Sequence, residues 1–173
     1  MIIYKYDLMK KIFLTDWKYG VKILYLSITI CFLFITYYNL NSGIVMSPDS
    51  ETFSEWADIL IKLDFNLYKY FNQNTFVNQN YLYLIPVLLI SLFKLFFHSN
   101  WQLLFVSLNL LAVFFSLIIF SKILLLLKIR ALVISIGILI LCISSDLLLW
   151  PRYVLTDTIF SFLIILIIYL ITI

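Results

Sequence analysis

The sequence predicts an all-α integral membrane protein, a polytopic helix bundle of about four transmembrane helices with amphipathic juxtamembrane helices in its first outer loop. Composition is the first reason. Hydrophobic residues make up 64% of the 173 residues and charged residues 12%, against roughly 45 to 50% apolar in soluble domains. The second is the length of the apolar runs, several of which approach the roughly 20 residues that cross about 30 Å of hydrocarbon. The third is charge placement. Eight of the twelve lysines and arginines fall within 5–22 and 122–130, at the ends of apolar runs. That placement reads as topology and not as nucleic-acid binding.

Five apolar stretches occur, at about 21–38, 81–97, 101–121, 131–149 and 158–173. Lys5, Lys10, Lys11, Lys18 and Lys22 put the N-terminus in the cytoplasm of a multi-pass plasma (inner) membrane protein, so residue 39 onward lies outside. No short apolar core with a small-residue cleavage site follows them, so a removed signal peptide is not expected. If all five stretches crossed, Lys122, Lys128 and Arg130 would lie outside, against the rule that short basic connections stay inside. The stretch at 81–97 is the weakest, with Pro86 and Lys94 within it and His98 directly after, and it is expected to lie in the interface. Residues 39–100 then form one outer loop, and the spans are 21–38, 101–121, 131–149 and 158–173. The last ends after 16 residues, so the chain reads as a single membrane domain, 1–173, truncated from a larger one. Cys31 and Cys142 fall inside spans and read as small apolar residues.

In the first outer loop, Ser47 is expected to cap a helix with Pro48 at its first position and Asp49 in its first turn. Phe53, Trp56, Ala57, Leu60 and Ile61 share one face of that helix, and Glu51, Ser54, Glu55, Asp58 and Lys62 fall on others. Such a helix can lie on the membrane surface. Taken alone, Asp49 is accounted for by the helix dipole. The second outer loop, Trp150 to Thr158, holds Arg152 and Asp157. Each has an ordinary reading as well, Arg152 snorkelling to lipid phosphate and Asp157 capping a helix that starts at Thr158. Asp146, near the outer end of the third span, is a candidate partner for Arg152.

Together, the two loops resemble the start of the GT-C glycosyltransferases, in particular the protein O-mannosyltransferase and aminoarabinose transferase branch (glycosyltransferase family thirty-nine). The matching residues are Asp49-Ser50-Glu51 followed by Phe53 and Ala57, Pro86 after Tyr81 and Tyr83, and Arg152-Tyr153-Val154-Leu155-Thr156-Asp157. The acidic motif departs from the family's adjacent Asp-Glu by one inserted serine, which displaces Glu51.

The resemblance implies transfer of a sugar from a polyprenyl-phosphate donor to an extracytoplasmic protein or glycolipid acceptor. It implies Asp49 as the catalytic base, Arg152 as the donor-phosphate ligand, and Asp157 and Glu51 in support. Lys62 and Lys69 are secondary phosphate candidates, and His98 reads as a headgroup-level residue. No metal ligand is assigned, a divalent cation being the one cofactor the resemblance leaves open. The alternative is a non-enzymatic multi-pass protein, a transporter or assembly subunit. Transporters favour helices broken at mid-membrane, and Gly137 is the only Gly or Pro well inside a predicted span.

Overall fold

The computed structural model describes the backbone of residues 2–72 and 83–173, and the side chains of 19–72 and 83–173. Among the described residues eight α-helices follow one another: α1 (Ile2–Ser42), α2 (Pro48–Lys62), α3 (Leu67–Asn72), α4 (Leu84–Phe97), α5 (Trp101–Leu126), α6 (Ala131–Cys142), α7 (Ser145–Leu149) and α8 (Asp157–Thr172). Among the described residues there is no strand, only an isolated parallel bridge between Val45 and Tyr153. Of the described residues, two stretches are long and apolar enough to cross a membrane, Tyr19–Ser42 and Leu84–Leu126, and α6 with α7 makes a third if the bent pair is one span. Side chains such as Leu26, Leu33, Ile136, Ile140, Ile164 and Ile171 are exposed. Apolar exposure on that scale fits lipid contact and not water.

The Leu84–Leu126 stretch is not one rod. His98 has φ +44°, and a 3₁₀ turn at His98–Asn100 separates α4 from α5. A straight helix would hold residues 93 and 105 about 18 Å apart, yet the Phe93 and Phe105 rings lie 5.5 Å apart. The chain therefore folds back, and α4 packs on both α2 and α5. Lys94 anchors it, donating to Asp58 at 2.7 Å and to the Ser54 carbonyl at 2.8 Å while lying over the Trp101 ring.

This arrangement corrects one expectation. The face of α2 formed by Phe53, Trp56, Ala57 and Leu60 is buried as its spacing predicts, but what covers it is α4. The start of the expected interfacial helix, including Tyr81, lies outside the described residues.

The direction of each helix follows from its contacts. A Cβ on Gly20 would come within 3.3 Å of the Ala131 Cβ, the Cys31 thiol points to the Ile138 carbonyl, and Asn39 donates to the Leu148 carbonyl. Residue numbers rise together along both helices, so α1 and α6 run parallel. Between α5 and α8 they also rise together, Phe115 meeting Phe162 and Lys122 meeting Tyr169, so this pair is parallel as well. The short 127–130 connection makes α5 and α6 antiparallel. Consequently Lys22, Lys128 and Arg130 lie at one end of the bundle, and the 43–48 and 150–156 segments lie at the other.

The 131–149 stretch is not one unbroken helix. α6 ends at Cys142, the axis bends by 64°, and α7 begins at Ser145. The Ser144 hydroxyl donates to the Leu141 carbonyl and accepts from the Leu147 amide, so it closes one helix and caps the next. The 12 residues of α6 extend about 18 Å, short of the hydrocarbon thickness.

Candidate functional site

The irregular end of the bundle is built from backbone that two buried amides hold in place. Gly43, at φ +78°, ends α1 in the left-handed conformation that glycine adopts without strain. The chain then extends past Val45, whose amide donates to the Arg152 carbonyl at 3.1 Å and whose carbonyl accepts from Val154. From the fully buried centre of α5, the Asn109 side-chain amide donates toward the carbonyls of Tyr153 (2.9 Å), Leu155 (3.2 Å) and Pro151 (3.4 Å). Asn39 holds the Leu148 carbonyl at 3.0 Å. Unpaired carbonyls are costly away from water, and these two amides satisfy carbonyls that no helix reaches. The sequence signal for Asn109 is an amide set within an apolar run.

The bridge brings the 43–48 and 150–156 segments together. Asp49 is exposed in the first turn of α2, capped as expected by Ser47, whose hydroxyl accepts from the Ser50 amide. It follows Val45 by four residues, a reach of at most about 14 Å, while Arg152 is bonded to Val45 through its own carbonyl. Arg152 is half-buried. Its guanidinium lies beside the Tyr153 ring, and its Nε is buried with no hydrogen-bond partner. Glu51, Lys62, Lys69 and His98 are exposed.

The expected pairing of Arg152 with Asp146 is not formed, and no ion pair joins Arg152 to Asp157 either among the described residues. The cap expected from Asp157 is also corrected. Asp157 is itself the first residue of α8, after Thr156, which makes no side-chain cap bond.

What the structure does bring together is Asp146 and Asp157. Both line a cavity of about 500 Å³ between α5, the bent α6–α7 pair and α8. Ser116, Thr158 and Ser161 add hydroxyls, Trp150 an indole, and Leu117, Phe120, Leu141 and Ile165 an apolar wall. The break at Ser144 gives Asp146 its position, since an unbroken helix would not turn there. Neither Asp49 nor Arg152 lines this cavity. Among the described residues no group of three or more His, Cys, Asp and Glu is placed to hold a metal ion.

Comparison with protein-family models, with curated proteins and with solved structures finds no match to this chain.

Proposed function

We propose that the chain is a membrane-embedded glycosyltransferase of the GT-C kind, its site formed where the two outer loops meet. The observation that carries this reading is the Val45–Tyr153 bridge, which ties the loop of Asp49 to the loop of Arg152. The unpartnered Nε of Arg152 supports a phosphate role, since guanidinium donors suit phosphate oxygens. In the proposed reaction, Asp49 takes the proton of an acceptor hydroxyl as its oxygen bonds to the anomeric carbon of the sugar. The bond from that carbon to the phosphate oxygen breaks, and Arg152 holds the departing polyprenyl phosphate.

The helix directions support a topology with α1, α5, α6–α7 and α8 crossing, the basic end in the cytoplasm and both loops outside. Were α4 also to cross, α1 and α6 would run antiparallel.

The test is polyprenyl phosphate binding to the chain in nanodiscs. Arg152→Ala is expected to weaken it at least tenfold, while Asp49→Asn leaves it unchanged and lowers sugar transfer by about 10² to 10⁴-fold. Wild-type lipid-phosphate affinity in Arg152→Ala contradicts the reading.

A second reading has its own observation. The broken α6–α7 helix beside a cavity is a feature of transporters, and it arises at Ser144 and not at a Gly or Pro. Solute flux in proteoliposomes that survives Asp49→Asn and Arg152→Ala would favour it over transfer.

A further inference from the structure

The cavity between α5, α6–α7 and α8 has a chemistry that the proposed transfer site does not use. At about 500 Å³ it falls in the range of small-ligand pockets, which are mostly apolar with a few placed polar groups. Its charged lining is of one sign. Asp146 and Asp157 both face it, and no Lys, Arg or His does. Neither carboxylate has an ion-pair partner among the described residues, where the salt bridge joins Lys94 to Asp58. Each aspartate stands in the first turn of a helix, which accounts for one carboxylate at a time but not for two on the same cavity. Both carboxylates are exposed, and set beside Leu117, Phe120, Leu141 and Ile165 they suit a cation joined to an apolar body. Trp150, also in the lining, offers an aromatic face to that cation.

We propose that this cavity binds an amphiphile whose single charge is a protonated amine, the amine held between Asp146 and Asp157 and the apolar chain lying along α5 and α8. Hydroxyls of Ser116, Thr158 and Ser161 accept from the remaining N–H groups. A phosphate is excluded by the two carboxylates, so an anionic lipid does not compete. The inference stands on the cavity alone and holds whether or not the loops carry out sugar transfer.

The experiment titrates the whole chain in phosphatidylcholine nanodiscs with dodecylamine at pH 7, where the amine is charged, and counts bound ligand by native mass spectrometry. Dodecylamine is expected to bind at least tenfold more tightly than dodecanol. Asp146→Asn and Asp157→Asn are each expected to weaken it about tenfold, and the double variant to erase the preference for the amine. Equal binding of dodecanol overturns the proposal, as does undiminished binding in the double variant or equal displacement by dodecyl phosphate. Phosphatidylethanolamine added to the nanodisc is expected to leave binding unchanged, and displacement by it would overturn the single-cation claim. If an Asn variant fails to assemble, the comparison of amine with alcohol on the wild type decides.

Discussion

The two ends of the bundle are built by different means. At the basic end, the 127–130 turn closes on backbone bonds alone, the Ile129 amide reaching the Leu124 carbonyl, and Gly20 lets α1 approach Ala131 closely. At the other end the backbone leaves helical geometry for several residues in each loop, and side chains from the spans complete its hydrogen bonding. Regular packing needs no buried amide, whereas irregular backbone at membrane depth does, and it persists only where it is buried in protein or lines a cavity. The end with the cavity, the acidic helix and the free Arg152 donor is the end where side chains were committed to holding loops open.

Substitutions that act on one end and spare the other test this contrast. Asn109→Leu is expected to have the largest effect, since it strands carbonyls of the Arg152 loop. A cost of about 2 to 4 kcal/mol in thermal unfolding in detergent is expected, together with loss of lipid-phosphate binding. Gly20→Leu drives a side chain into Ala131 and is expected to cost about 1 to 3 kcal/mol while leaving ligand binding at the far end intact. Lys94→Met removes one partly exposed ion pair and the bond to Ser54, and a loss of about 1 kcal/mol is expected after allowance for solvent screening. The smallest effect concerns Tyr70, whose phenol burial pushes up to about 12 and whose hydroxyl has no partner. The unfolded chain ionises this group near pH 10 and so holds fewer protons than the native state between the two values. Stability therefore falls as pH rises from about 10 to 12, and Tyr70→Phe is expected to flatten that decline.

Much of this was legible in the sequence where a local rule acts alone. Ser47-Pro48 announces the start of α2, and the 3-4 spacing from Phe53 to Leu60 announces its buried face. Lysines and arginines mark one end of the bundle before any helix is placed. What covers α2 was not legible, because an apolar face does not say whether lipid or α4 meets it. The break at Ser144 was hidden because hydropathy averages two serines into an apolar run, while the bend depends on one hydroxyl serving two backbone groups. Asp146 and Asp157 read separately as helix-start residues, and only the bend in α6–α7 and the packing of α8 on α5 put them on one cavity.

The proposed site requires the Asp49 loop and the Arg152–Asp157 loop to share one face of the membrane, with the 127–130 turn on the other. Single cysteines at Asp49, Lys128 and Asp157, all exposed, introduced with Cys31 and Cys142 replaced by serine, can be labelled in sealed vesicles with a membrane-impermeant thiol reagent. Positions 49 and 157 are predicted to label from the same side and 128 only from the opposite side. Labelling of 49 and 157 from opposite sides would contradict the account.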